Sequence, residues 1–440
     1  MKEQLTQIDM VNMSITNKCI LACPSCPTGR FNWQRKVDGK AALPLQYISL
    51  DRCQNIFAKV AKHYGPQLFY LHIWNEPLIH PQINEILSAL YSFGHTAYIS
   101  SNLNVRTDWG RLLQNPALKT LVISMSGFKQ EMYERGHRGG NVRLVLENIK
   151  KISKSTKENK SSTRVLINFH RYIDNMDDSI QLEELCKNSG IDFCPYPAVV
   201  LQENIHSSLN KGMLEAWRQS DDITKLVLPR ISMTPFPFAP ISGLETIPCH
   251  SQSHILVLDH EGQICTCTHK EPASVDRLGD FLSMDEDAIR YIKNNWQGCE
   301  ECRAVGLHMA YVFACFFEKP SVMEQQIMDF LAESKPHSGY AQQEIFVFGA
   351  GMTGAAVAPL LRHHGYNILS FIDDNPHKVG KTLHGIPIRS LEDVASSLEK
   401  ALIIDTVRSL PFKGKALGLG IRYQNTTSAE EFIATLMREV

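Results

Sequence analysis

Short apolar runs alternate with amphipathic stretches along the first two hundred residues. Runs suited to buried strands lie at 11–15, 68–73, 97–100, 120–124, 165–169 and 191–198. Between them, 50–64, 82–93, 142–153 and 181–189 carry apolar residues at helical spacing. Repeated strand–helix units predict a parallel sheet, and six or so repeats fit a complete or partial (β/α) barrel. In such barrels the chemistry sits at the C-terminal ends of the strands.

The pattern then changes. Residues 231–248 contain Pro235, Pro237, Pro240 and Pro248 and read as an extended linker. Residues from 249 to about 330 hold six cysteines and one clear helical stretch, 284–295. A polar break at 333–343 precedes a strand at 344–348, the run Gly349-x-Gly351-x-x-Gly354, and a helix through His364. A second strand at 367–372 ends at Asp373 and Asp374.

Composition excludes several classes. The 440 residues carry a formal charge of -1, whereas a polyanion binder shows a basic excess, so no nucleic-acid partner is expected. The apolar runs are shorter than the roughly 18 residues of a membrane span. The N-terminal MKEQLTQIDMVNMS lacks the parts of a signal peptide, so a soluble, cytoplasmic protein with no membrane partner is expected. Twelve cysteines are many for a reducing compartment, and most are clustered, which suggests metal before disulfide. Cys53, Cys186 and Cys194 stand apart and read as buried small hydrophobes.

Cys19-x3-Cys23-x2-Cys26 directly follows the first strand. Three thiolates from one loop can hold a [4Fe–4S] cluster and leave one iron free for another ligand. A structural zinc site wants four closed ligands, which here would require a remote His or Cys.

This segment resembles the radical S-adenosylmethionine (SAM) superfamily, whose hallmark is CxxxCxxC after the first strand of a partial (β/α)6 barrel. The stretch Asn75-Glu76-Pro77-Leu-Ile-His80-Pro81 resembles the family's GGEP segment, with Trp74 and Asn75 in place of two glycines. Ser101-Asn102-Leu103 resembles the third-strand TNG, with Leu103 at the Gly position. Ser124-Met-Ser126-Gly127, followed by Tyr133, Arg138, Gly139 and Gly140, resembles the S-x-D-G … Y … R-G-G run. The resemblance covers about the first 200 residues. It implies that Cys19, Cys23 and Cys26 hold a SAM-binding [4Fe–4S] cluster. It also implies that Asn75, Glu76, Pro77, Ser101, Ser124 and Ser126 lie at SAM, with Glu76 toward its ammonium. His72 reads as a packed core histidine. Reductive cleavage of SAM to a 5′-deoxyadenosyl radical would follow, with electrons from a reductase or flavodoxin-type donor. No catalytic residue beyond the cofactor ligands is named.

Cys249-x12-Gly262-x4-Cys267 followed by Cys299-x2-Cys302 is a second metal-spacing pattern. Gly262 marks a turn between strands at 253–258 and 263–267. Four thiolates suit an auxiliary [4Fe–4S] cluster or zinc alike. The pattern resembles the SPASM/twitch extension of radical SAM enzymes, which implies iron–sulfur and a one-cluster, twitch-like form. Cys265 and Cys315 are spare candidates.

At the C-terminus, Gly349, Gly351 and Gly354 follow a strand and open a helix, and Asp373 ends the next strand. This is the setting of a dinucleotide-binding, Rossmann-like turn. The stretch from Phe371 to Ile388 resembles the sugar-nucleotide-binding domain of bacterial sugar acyltransferases. Binding of a nucleotide or nucleotide sugar and a scaffold or docking role both remain open.

The expected chain is thus α/β in three parts. A radical SAM partial barrel would occupy 9–230, a Cys-rich auxiliary-cluster domain 245–330 and a Rossmann-like domain 344–440. The expected function is that of a radical SAM oxidoreductase abstracting hydrogen from a small molecule, either a carbohydrate or a nucleotide-linked sugar. Peptide modification and a non-catalytic zinc scaffold are the alternatives.

Overall fold

The computed structural model describes residues 8, 10–73, 75–172, 175–197, 249, 252, 254–268, 277–296, 344–350, 354, 357–358, 361–362, 366–373, 375, 378–399, 401–406 and 425–428. The protein is mixed α/β and divides into two compact units, residues 1–233 with 251–297 and residues 234–250 with 298–440. Among the described residues, no helix is long and apolar enough to cross a membrane.

The first unit holds a nine-stranded sheet. Its parallel strands are β1 (Met10–Met13), β2 (Leu68–Tyr70), β3 (Thr96–Ser101), β4 (Leu118–Met125), β5 (Arg164–Arg171) and β6 (Asp192–Pro197). They lie side by side in chain order. Helices α1 (Pro27–Val37), α2 (Leu50–Tyr64), α3 (Ile83–Ser92), α4 (Trp109–Leu113), α5 (Gln130–Gly136), α6 (Val142–Glu158) and α7 (Met176–Ser189) fill the connections. Helix α2 matches the apolar pattern end to end. Ser49 accepts the Arg52 N–H at its start, and Gly65 stops it at a φ of 72°. Cys53, Ile56, Phe57 and Val60 form its buried stripe.

The sheet continues on the other side of β1. There β7 (Ile255–Leu258) pairs parallel with β1, and β8 (Gln263–Cys265) and β9 (Arg277–Asp280) follow antiparallel. Gly262 turns the β7–β8 hairpin at a φ of 73°, as its position predicts. Helix α8 (Glu286–Asn295) closes this segment, starting on an Asp285 cap. Lys59 of α2 bonds the Phe281 carbonyl at 2.6 Å, and Arg52 pairs with Asp280. These contacts fasten the added strands to the helical layer.

One face of this sheet is the core. Val11, Phe69, Leu71, Ala97, Ile99, Leu121, Ile123 and Ile167 meet the helices there, all buried. The alternate positions face the other way.

In the second unit, β10 (Glu344–Phe348), β11 (Asn367–Ile372), β13 (Ile386–Arg389), β14 (Leu402–Asp405) and β15 (Asn425–Ser428) are parallel. The short β12 (Thr382–Leu383) pairs antiparallel at one edge. The spatial order is β12-β13-β11-β10-β14-β15, so the direction of winding reverses between β10 and β14. Separate apolar clusters cover the two faces. Val347 and Phe371 belong to one, and Phe346, Ile372 and Leu391 belong to the other. The capped turn α9 (Leu391–Val394) supplies Leu391.

Candidate functional site

The loop after β1 carries Cys19, Cys23 and Cys26, all half-buried. Helix α1 begins at this loop, with Cys26 as its cap residue and Pro27 at its first position. Asn32 of α1 donates to the carbonyls of Cys19 (3.0 Å) and Leu21 (2.9 Å). A Cβ on Gly29 would fall 2.3 Å from the Cys23 carbonyl oxygen, so only glycine lets α1 lie against the loop. On the far side, the Ala22 N–H bonds the Arg138 carbonyl at 2.9 Å. The Arg138 guanidinium lies 4.3 Å over the Trp33 ring.

Burial pushes the Cys19 thiol up to about 12, and the Glu76 charge adds to it. Burial also raises Cys23, followed by its neighbours Cys19 and Cys26. Three half-buried thiols that repel one another's negative charge suit a cationic inorganic core. Among the described residues, no three His, Cys, Asp or Glu side chains are grouped to hold a single metal ion. An iron–sulfur cluster does not need that convergence, because each thiolate takes its own iron.

Two further loops close on this one. Glu76 follows β2 and is 1 % exposed. Its carboxylate accepts the N–H of Leu78 (3.1 Å) and of Asn102 (2.9 Å), and its own N–H reaches the Lys18 carbonyl (3.2 Å). Burial raises its carboxyl to about 7, and the bonded amides offset part of that rise. Asn75 donates to the Thr16 carbonyl at 2.9 Å, and the buried Pro77 opens a 3-10 turn. The loop after β3 contributes Asn102, whose amide nitrogen lies 3.6 Å from Cys19 Sγ. The Ser101 hydroxyl accepts the Leu103 N–H at 3.0 Å. Leu103 has a φ of 53°, the left-handed region that favours glycine.

The two serines of β4 and its loop differ. Ser124 is half-buried, with its hydroxyl 3.3 Å from that of Ser100. Ser126 is fully buried. Its hydroxyl donates to the Tyr133 carbonyl (3.0 Å) and sits 2.6 Å from His137 Nδ1.

Of the second cysteine set, Cys249 and Cys265 are buried and Cys267 is half-buried. Cys299, Cys302 and Cys315 lie outside the described residues, as does Gly351. In the second unit, Gly349 follows β10 with a φ of 105°, and a Cβ on Gly354 would fall 1.9 Å from the Gly349 carbonyl oxygen. Asp373 accepts from Ala350 N–H (2.9 Å), Asn375 N–H (2.9 Å) and Lys378 Nζ (3.0 Å). Both of its oxygens are therefore engaged in shaping the glycine turn.

No family model matches the sequence, and no curated protein matches it. Solved structures do resemble the fold. One is SuiB of Streptococcus suis bound to S-adenosylmethionine, at 12% identity and a TM-score of 0.42, covering 69% of this chain and 72% of that one. Another is anSMEcpe with bound AdoMet, at 11% identity and a TM-score of 0.41, covering 68% and 84%. A third is BtrN in complex with AdoMet and 2-DOIA, at 9% identity and a TM-score of 0.33, covering 69% and 87%. At these scores the chemistry has to be read from the chain's own residues.

Two residue readings need correction. Cys194 is exposed: it pairs with Asn168 on the face of β6 away from the core, and β6 is the last strand of the sheet among the described residues. His72 is not part of the apolar core. It is half-buried on the opposite face, beside Tyr70 and Tyr98. Strand alternation could have found this, since Leu71 and Ile73 flank it and Leu71 packs in the core. Spacing assigns no role to Asn102 Nδ2, to His137 or to Tyr172, whose hydroxyl is buried.

Proposed function

We propose that this chain is a radical SAM enzyme. The observation that carries the reading is the meeting of three loops at the ends of β1, β2 and β3. The CxxxCxxC loop, the Glu76 turn and the Asn102 loop are joined there by the Glu76 carboxylate and by the Asn102–Cys19 contact. Cys19, Cys23 and Cys26 would hold a [4Fe–4S] cluster with one open iron. When bound, the cluster and SAM supply one-electron cleavage of a sulfonium C–S bond to a carbon radical that takes hydrogen from the substrate.

The chain's own residues do the positioning. Glu76 is held by two backbone amides in a water-poor setting, where a carboxylate gains most from an ammonium partner. Asn75, Pro77 and Ser101 shape the loops that present it. Ser124, still half-exposed, is available to a ligand, whereas the Ser126 hydroxyl bonds the chain itself. Partial-barrel geometry, an auxiliary cluster on Cys249, Cys267, Cys299 and Cys302, and a nucleotide-type turn in the second unit complete the proposal. A reductase or flavodoxin-type donor would deliver the electron.

Anaerobic reconstitution tests the reading. About eight irons per chain are expected, falling to about four when Cys19, Cys23 and Cys26 are all replaced by Ala. Reduced protein with SAM should release 5′-deoxyadenosine, and Cys23→Ala should abolish that release. An iron content indifferent to the triple replacement would overturn the proposal.

A further inference from the structure

Seven of the ten large apolar side chains exposed among the described residues lie between Ile20 and Tyr47. Single exposed apolar residues are ordinary, whereas a concentration of them marks a contact surface. Here they include Phe31, Trp33 and Val37 of α1, and Leu43, Leu45 and Tyr47 of the segment after it. That segment is held in place by side chains bonded to its backbone. Arg35 donates to the Ala41 carbonyl (3.0 Å), Lys18 to that of Leu43 (3.3 Å) and Asn17 to that of Pro44 (3.1 Å). The Leu43 and Leu45 side chains are left in water.

Cations are interleaved with these groups. Residues 18–47 carry five Lys or Arg and one Asp, in a chain of formal charge -1. Arg35 lies 5.7 Å from the centre of the Phe31 ring, and Arg138 (4.3 Å) and Lys36 (5.5 Å) both lie over Trp33. Among the described residues, Arg35, Lys36 and Arg138 form no salt bridge. The surface adjoins the thiol loop: Lys18 precedes Cys19, and Asn32 of α1 bonds the Cys19 carbonyl at 3.0 Å.

From this arrangement we infer that the surface docks an acidic electron-carrier protein of the flavodoxin type. The inference deepens the radical SAM reading and rests on it for the electron's destination, though not for the docking. One electron leaves the carrier's reduced flavin and enters the oxidised cluster, and no bond in this chain forms or breaks. An electron can cross the thin layer of protein between this surface and the thiols, whereas a substrate atom cannot react across it.

Charge and shape select the partner. A second copy of the chain, docked through the same patch, would set one group of cations against the other. A bilayer takes a helix with one apolar face. Phe31 and Trp33 lie roughly 200° apart around α1, on opposite flanks. A protein surface can be shaped to both flanks, bring carboxylates to Lys36 and Arg35, and bury Leu43 and Leu45.

The test is calorimetric titration of full-length, reconstituted protein with an acidic flavodoxin at low and high ionic strength. Saturable binding is expected, about tenfold weaker at high ionic strength. Lys36→Glu should weaken it by about tenfold, and Leu45→Ser, which removes only apolar contact, by a smaller factor. Both side chains are exposed, so both variants should fold and should release 5′-deoxyadenosine as wild type does when dithionite supplies the electrons. No saturable binding, binding indifferent to salt, or binding that neither variant weakens overturns the inference. Capture by phosphatidylglycerol vesicles in place of flavodoxin, or a dimer in sedimentation that Lys36→Glu dissolves, overturns it as well. Dithionite-driven release without flavodoxin binding removes this surface alone, and flavodoxin binding without dithionite-driven release removes the radical reading alone.

Discussion

The side-chain amide of Asn102 points its N–H at the sulfur of Cys19, 3.6 Å away. Its orientation is fixed, because the amide oxygen takes the Asn104 N–H at 2.9 Å. A hydrogen bond to a cluster-ligating sulfur favours the more negative, reduced state. Asn102→Asp keeps the acceptor for Asn104 and replaces the donor with a negative charge. In reconstituted protein the cluster potential should therefore fall. A lost bond of about 1 kcal/mol corresponds to a few tens of millivolts for one electron. Redox titration followed by electron paramagnetic resonance measures it, and an unmoved potential would speak against the contact.

Glu76 makes a prediction that needs no cofactor. Its carboxylate is the acceptor for two backbone N–H groups, those of Leu78 and Asn102. Glu76→Ala leaves both in the protein interior, at a cost of about 1–3 kcal/mol each. Glu76→Gln keeps one carbonyl oxygen and should cost less. Urea unfolding of the metal-free protein should rank the variants in that order. Equal stability of wild type and Glu76→Ala would mean that the three loops do not depend on this side chain.

Much of the first unit was readable from periodicity because its elements are local. Helix α2 is bounded by its own cap and its own glycine, and the sheet runs in chain order. Helix α1 shows no apolar periodicity because it is largely polar, and what holds it is tertiary: Asn32 on the Cys19 loop and the bare backbone of Gly29. The run 68–73 promises a longer strand than β2, since Leu71 and Ile73 remain apolar after the chain turns toward Glu76. The pairing of β7 with β1 joins distant segments and leaves no mark in local sequence. The site was legible as cysteine spacing and a Glu-Pro pair. The Glu76–Asn102 bridge and the engagement of Asp373 within its own turn depend on loops meeting in space, which spacing does not encode.

His137 sets an acid limit on stability. Burial, then the neighbouring His170, holds its imidazole well below the ordinary value of 6.5. The folded chain therefore keeps His137 neutral, while the unfolded chain can protonate it. Its contribution is present above pH 6.5 and is lost as the pH falls below that value. The urea midpoint should drop between pH 7 and pH 5, and His137→Gln should reduce that drop. A midpoint with the same pH slope in the variant would show that other groups govern acid unfolding.

The glycine turn of the second unit is the least forgiving backbone in that sheet. A Cβ at position 354 would sit 1.9 Å from the Gly349 carbonyl oxygen, far inside contact distance. The Gly349 N–H is meanwhile bonded to the Ile372 carbonyl at 2.7 Å, so the turn cannot simply move aside. Gly354→Ala should therefore destabilise this unit by about 3 kcal/mol or more, as overpacking against fixed backbone does. Asp373→Asn can keep its carbonyl oxygen for the buried Ala350 N–H, and loses the bond to the half-buried Asn375 N–H together with the ion pair to Lys378, the latter worth about 1 kcal/mol or less. Hydrogen exchange read by mass spectrometry distinguishes them. Gly354→Ala should strip protection from β10, β11 and β14 and leave β1 to β6 protected, whereas Asp373→Asn should leave both sheets protected. If Asp373→Asn instead exposed β10 and β11, the carboxylate charge itself would be holding the turn.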